Sequence, residues 1–552
     1  MYTILYCFVL WTGVIAKNMA PPLVTTSLGE LRGTWSISTR GRPYADFQGI
    51  PYAVPPVGSL RFKEPEPARP WTGVKDASKS GSICLQYHGI TKTMMGSEDC
   101  LYMNIYTPFL KPERPLPVLV FIHSGAYLFG TGNRVDFDPS RLMDWDLIIV
   151  TINYRLGALG FLSTGDHVVP GNNGLKDQSL ALHWIKNNIQ EFGGDKDSIT
   201  LSGSSAGSSS VHYHCLSHMS RDTFTRAFLS SGSAFNPWAY THKPTKHAKK
   251  LATLANCSTT SSQEMIDCLT SKSGEEIIRA QSGMYEWADH LFTPFVPTAE
   301  PLDTKNAFLT KHPLEVSRSG DVYRVPIIVT FCAQEGLYPA AYYTRKGVLN
   351  YIASNWEQVA SDMFKYNDTI PESKNTLVAS MIKYYYFEDK PISEDTFPQL
   401  IQALSDRLFI NGIKLMAEEH VKRTRKPTYL ARYSFRGNGS FSFLLSGSTK
   451  IYGTSHGDDL IHILPLSEMY GNADDVRLGN IYTNIFYTFM TSNIPKVPGV
   501  KWLPVNPNDA EVNYLEISSP DKIKMNKTSD IGPITFWNSL HLDGDATKFS
   551  RI

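Results

Sequence analysis

The stretch from Thr200 to Ser210, TLSGSSAGSSS, holds six serines between Ser202 and Ser210, with Gly203 and Gly207 bracketing Ser205. It reads in one of two ways. It is either a flexible low-complexity loop of small residues, or a Gly-x-Ser-x-Gly turn whose strained backbone lifts one serine out of the chain as a nucleophile. Glycine and serine are common, so the pentapeptide also arises by chance. Its flanks decide. Asp197, Ser198, Ile199, Thr200 and Leu201 predict a strand running into Gly203, and the segment from Ser208 to Leu216 can continue as a helix. Strand, glycine-flanked turn and helix make the setting a nucleophile elbow requires, and the two glycines let a crowded backbone close around Ser205.

Working outward, β-branched and apolar runs predict buried parallel strands from Val118 to Ile122, Leu147 to Asn153, Ser198 to Leu201, Ile327 to Phe331 and Thr428 to Phe435. Between them, DQSLALHWIKNNIQEF presents Leu180, Leu182, Trp184, Ile185 and Ile189 as an apolar helix face. Strands alternating with helices predict an α/β fold with a large, mostly parallel sheet and helices on both faces, and a Gly-x-Ser-x-Gly elbow in that setting is the turn of the α/β-hydrolase type. Such a sheet carries its chemistry at the carboxyl ends of its strands.

A serine hydroxyl needs a base to take its proton and an acid to orient that base. In this fold the chain order is Ser, then Asp or Glu, then His. Glu335, in IIVTFCAQEG, follows a predicted strand closely. His456, in IYGTSHGDDL, lies past the last strand, between Gly453 and Gly457. Asp458 and Asp459 follow the histidine and fall outside the required order. His212, His214 and His218 lack the spacing of a zinc-binding HExxH helix, and His123 comes too early to be the base. The order Ser205, Glu335, His456 survives. A developing oxyanion also needs donors, and the backbone N–H groups of Gly125 and Ala126 in HSGAYLFG, with that of Ala206, are the candidates.

The chain has 552 residues, a formal net charge of +1 and no dense Lys/Arg block, which argues against a nucleic-acid surface. No linker or internal repeat divides it. The run from Ile4 to Ala16, ending at Lys17, suits a signal peptide (residues 1–16), leaving residues 17–552 as a single catalytic domain. The polar C-terminus HLDGDATKFSRI carries no lipid-anchor signal, so the reading is a secreted product without a stable membrane anchor. Outside the leader six cysteines remain. Cys84 lies near Cys100 and Cys257 near Cys268, short loops that an oxidising compartment permits to close, although spacing leaves connectivity open and six thiols are the alternative. Asn256, Asn367, Asn438 and Asn526 head glycosylation triplets.

Together these residues resemble the type-B carboxylesterase/cholinesterase family, most closely its secreted insect members. The resemblance rests on FQGIPYAVPPVGSLRFKEP (from Phe47), SEDCLYMNIYTP (from Ser97), NYRLGALGFLS, NGLKDQSLALHWIKNNIQEFGGD, GSSAG, SSGSAFNPW, AQEG and GTSHGDD, in family order. It implies a serine esterase with Ser205, Glu335 and His456 as triad and Gly125, Ala126 and Ala206 as oxyanion hole. It also implies a Cys84–Cys100 disulfide, an ester as small-molecule partner, and no metal or organic cofactor. With that pair closed, Cys257–Cys268 is the expected second bridge, with Cys215 and Cys332 as thiols. Three departures bear on substrate. Ser124 stands where relatives usually carry Gly. The loop between Cys84 and Cys100 lacks the tryptophan with which cholinesterases hold a quaternary ammonium. Ser204 stands where juvenile hormone esterases usually carry glutamine. The competing readings are a catalytically silent adhesion relative and a lipase-like enzyme for long acyl chains.

Overall fold

The computed structural model describes residues 19–88, 93–134, 136–284, 291–462 and 472–542; the expected leader lies outside them. Eleven strands form the main sheet. In chain order they are β1 (Thr34–Ile37), β2 (Pro43–Pro51), β3 (Tyr102–Thr107), β4 (Leu116–Ile122), β5 (Ile148–Ile152), β6 (Gly194–Ser204), β7 (Arg226–Ser230), β8 (Ile327–Cys332), β9 (Thr428–Tyr433), β10 (Val512–Ser519) and β11 (Lys522–Thr528). Their spatial order is β1-β2-β3-β5-β4-β6-β7-β8-β9-β10-β11. From β5 to β10 every neighbour is parallel. The edges, β1-β2-β3-β5 and β10-β11, are antiparallel.

The central strands are continuous apolar runs because both faces of the sheet are covered. Alternate residues of β4 point to opposite cores. Val118, Val120 and Ile122 pack on one face with Leu175, Leu182 and Ile185 of the helix Asn173–Asn188. Leu119 and Phe121 join the other, under Leu478, Tyr482, Phe486 and Phe489 of the helix Ala473–Ser492. Each such side chain, fully buried, stabilises the fold by roughly 1.5–3 kcal/mol.

The five strands read from the sequence are all present. The antiparallel edges are additional, and two of their strands correct the placing of His456: β10 and β11 follow it, so its loop leaves the sheet after β9 and the chain then returns. Among the described residues no helix is long and apolar enough to cross a membrane.

Candidate active site

β6 ends at Ser204 and a helix, Ala206–Leu216, begins two residues later. Ser205 alone makes the turn, at φ 56° and ψ −118°. An L-residue held there costs on the order of 1–3 kcal/mol, so the surroundings must impose it. Ser205 N–H donates to Ser230 O at 2.8 Å, and Ser205 O accepts from Ser209 N–H at 2.8 Å. A Cβ on Gly207 would lie 2.1 Å from Ile122 O, and one on Gly203 would lie 2.4 Å from the Gly207 carbonyl. Only glycines let the helix start this close to the strands. The other five serines gathered here are small packing residues: Ser202 and Ser204 are buried, and Ser208, Ser209 and Ser210 are fully buried.

Glu335 sits just beyond β8, wholly buried. Its Oε1 accepts the Cys332 N–H at 2.7 Å, which fixes the carboxylate against the strand it follows. Its Oε2 lies 2.5 Å from His456 Nδ1. A carboxylate oxygen only accepts, so in the neutral imidazole Nδ1 carries the proton and Nε2 is the acceptor nitrogen. The two loops also run side by side, Gln334 N–H donating to Thr454 O at 3.0 Å and Thr454 N–H to Gln334 Oε1 at 2.7 Å. The imidazole is flanked by the rings of Phe409 and Tyr338, at 4.6 and 5.3 Å between centroids.

Two further acids hold the histidine loop. Asp459 is wholly buried and accepts the Ser230 and Thr330 hydroxyls on Oδ2, each at 2.8 Å. Asp458 accepts Ser455 N–H, Phe441 N–H and the Ser440 hydroxyl at 2.8, 2.9 and 2.9 Å. Burial pushes Asp458 up to about 7 and raises Asp459 as well. Chain order set both apart from the proton relay; neither is a loose surface carboxylate.

The third loop follows β4. Gly125 (φ 111°), Ala126 (φ 55°) and Tyr127 (φ 60°) reverse the chain, with Leu128 N–H and Phe129 N–H both donating to Gly125 O at 2.8 and 3.0 Å. A Cβ on Gly125 would fall 1.8 Å from Phe129 O. Among the described residues no backbone acceptor pairs with the N–H groups of Gly125, Ala126 or Ala206. His123, at the strand end, is stacked on Tyr154, and burial drives its pKa down to about 4. It is a neutral packing residue. Ser124 is exposed.

Strained serine, buried Glu–His pair and turn with open N–H groups converge at the carboxyl ends of β4, β6 and β8. A sequence model of the carboxylesterase family matches residues 20–537. A carboxylic ester hydrolase of Bombus ignitus is 39% identical, over 95% of each chain. Venom carboxylesterase-6 of Apis mellifera is 40% identical, over 94% of each. The crystal structure of juvenile hormone esterase from Manduca sexta, with OTFP covalently attached, superposes with a TM-score of 0.84 at 27% identity, covering 95% of this chain and 100% of that one. The chain belongs to the carboxylesterase family.

This carboxylesterase carries two disulfides, Cys84–Cys100 and Cys257–Cys268, while Cys215 and Cys332 are buried thiols. Burial raises both thiols, Cys215 to about 12, so they are unreactive packing groups. Of the glycosylation triplets, Asn256, Asn367 and Asn438 are exposed and Asn526 is half-buried on β11. His212 and His214 are buried hydrogen-bonding residues of the post-elbow helix: His212 accepts Ala234 N–H, and His214 bridges Ser220 and Gln178. Ser230, Phe409 and Tyr338 were not found from the sequence. Of these, only Ser230 lies in a family motif, SSGSAFNPW.

Proposed function

We propose that this carboxylesterase cleaves carboxylic esters through an acyl-serine intermediate, with Ser205 as nucleophile, His456 as base and then acid, and Glu335 as the group that orients the imidazole. The observation that carries the reading is the buried 2.5 Å contact between Glu335 and His456 Nδ1, which leaves Nε2 as a proton acceptor. Ser205 attacks the ester carbonyl as Nε2 takes its proton. Glu335 stabilises the imidazolium, and the N–H groups of Gly125, Ala126 and Ala206 hold the oxyanion. Collapse transfers the proton to the departing alcohol. Water, deprotonated by His456, then hydrolyses the acyl-serine and releases the acid. Every step uses side chains and backbone donors already in place, so the reading calls for neither metal nor organic cofactor. The aromatic rings beside His456, Phe409 and Tyr338, with Trp238 packed behind Phe409, suit an apolar acyl group.

The same proposal places the enzyme outside the cell as a single-domain glycoprotein. Two disulfides, the apolar leader and the relatives named as venom and juvenile hormone esterases support this. The test is hydrolysis of short p-nitrophenyl esters by the purified protein, with Ser205→Ala as control, followed by mapping of an organophosphate label. Turnover lost in Ser205→Ala and one phosphorylated residue, Ser205, are expected. Turnover that survives Ser205→Ala, or that EDTA abolishes and a divalent ion restores, overturns the reading. A protein with no esterase activity on any acyl length is the silent adhesion relative.

A further inference from the structure

Between the helices Phe397–Ser405 and Asn411–Thr424 the chain makes one π-helical turn, Asp406–Ile410, closed by Asn411 N–H donating to Asp406 O five residues back. Single π-turns inside helices occur frequently at functional sites, because the extra residue re-aims its neighbours. This turn, with Ser405 just before it, touches the surroundings of the active site at three points. The Ser405 hydroxyl oxygen accepts the N–H of Gly336, the residue after Glu335, at 2.8 Å. The carbonyls of Leu408 and Phe409 accept Trp238 Nε1–H and Asn236 Nδ2–H, each at 2.7 Å. The Phe409 ring lies 4.6 Å from His456.

On its other side the turn is tied to the C-terminal helix Ile534–Ser539. Asp406, buried, accepts the Tyr386 O–H at 2.9 Å and Gln402 Nε2–H at 2.8 Å. The Tyr386 oxygen in turn accepts Trp537 Nε1–H at 2.8 Å. A series of directional bonds thus runs from the last described helix to Asp406, the first residue of the π-turn that carries the ring packed on the imidazole.

We propose that the Trp537–Tyr386–Asp406 hydrogen-bond chain is a positioning device for ester hydrolysis, fixing the π-turn so that Phe409 holds the His456 ring. The need for it is geometric. The bond from Nδ1 to Glu335 leaves the imidazole free to rock about the Nδ1···Oε2 line, and rocking moves Nε2. The rings of Phe409 and Tyr338, both packed against the imidazole, restrict that motion. Displacing a reacting group by about 1 Å can cost on the order of 100-fold in rate. The inference rests on His456 being the base.

The experiment counts competent sites by organophosphate titration, then measures kcat per titrated site and KM for a short p-nitrophenyl ester. Tyr386→Phe removes both hydrogen bonds of the hydroxyl while keeping the ring. It is expected to lower kcat per site about fivefold with KM within about twofold, the size of one lost net hydrogen bond expressed in the transition state. Phe409→Ala is expected to lower kcat as well, and the double variant to be no slower than Phe409→Ala alone, because both act through one contact. Trp537→Phe, which removes only the indole donor, serves if Tyr386→Phe does not fold, and is expected to lower kcat per site in the same way. Unchanged kcat per site in the variant that folds, or multiplicative losses in the double variant, overturns the proposal while the triad stands. Wild-type protein that takes up no organophosphate overturns both.

Discussion

The Ser230 hydroxyl donates to Asp459 Oδ2 at 2.8 Å, and the carbonyl of the same serine accepts the Ser205 N–H at 2.8 Å. One residue at the end of β7 therefore joins the strained serine to the loop that carries His456. Thr330 repeats the contact from β8, which also leads into Glu335. The three members of the proposed triad arrive on separate loops, yet their backbones are referenced to adjacent strand ends paired in register. Asp459 is where those references meet.

Replacing Asp459 tests that junction. Asp459→Ala leaves two buried hydroxyls without their acceptor, at roughly 1–3 kcal/mol each. It is expected to lower the thermal midpoint and to cut kcat by at least about tenfold, because the histidine loop loses its floor. Asp459→Asn keeps one acceptor oxygen and should fall between wild type and Asp459→Ala. Steady-state kinetics and thermal melts on the three proteins decide it. Unchanged kcat in Asp459→Ala means the loop is held by Asp458 alone.

Glu335→Gln should be worse for turnover than any change at Asp459. A glutamine amide can donate to Nδ1, which stabilises the tautomer with its proton on Nε2, and that imidazole cannot accept from Ser205. The expected loss in kcat is on the order of 10³- to 10⁴-fold, with KM little changed. If Glu335→Gln stayed near full activity while Asp459→Asn abolished it, the acid would be Asp459.

Much of this site is legible in the sequence because its signals are local. Asp197 to Leu216 spell strand, turn and helix without reference to anything distant, and β4, β5 and β8 are continuous apolar runs because both their faces are buried. Ser230 and Asp459 are different: their contact spans 229 positions, and neither residue type differs from dozens of surface serines and aspartates. Chain order, the rule that selects Glu335, says nothing about anchors. The edge strands escaped for a related reason. KIKMNKT, the sequence of β11, alternates lysines with half-buried residues as a one-sided edge strand does, and such a pattern is weak beside a buried run. Nothing in DRLFI marks a π-turn.

The two disulfides should separate in their effects. Each closes a short loop, with separations of 16 and 11 residues, and constrains the unfolded chain by about 3 kcal/mol. The loop of Cys84–Cys100 also holds Gln86, whose side chain donates to Gly130 O at 3.1 Å and accepts Gly130 N–H at 2.8 Å. Gly130 ends the turn that presents Gly125 and Ala126. Replacing Cys84 and Cys100 by serine should therefore lower both the thermal midpoint and kcat. The same change at Cys257 and Cys268 should lower the midpoint and leave kcat intact. Equal loss of kcat in both pairs would count against a link from Gln86 to the proposed oxyanion donors.

Asp406 should make stability depend on pH in a direction opposite to that of a salt-bridged acid. Burial pushes its carboxyl from 3.8 up to about 7; the Tyr386 and Gln402 hydrogen bonds and Arg432 oppose the shift, and Asp530 adds to it. A folded-state pKa above the unfolded one means the fold prefers the protonated acid. That share of stability is complete below about pH 4 and is lost as pH rises through 7, a total on the order of 4 kcal/mol. Asp406→Asn keeps an acceptor for Tyr386 and cannot ionise, so it escapes the loss. The thermal midpoint of Asp406→Asn minus that of wild type should accordingly increase from pH 5 to pH 8 and level off above. Asp458, also near 7, titrates in both proteins and cancels from the difference. Melts of the two proteins in matched buffers across that range give the answer, and a difference that stays constant would mean that Asp406 is already ionised at pH 5.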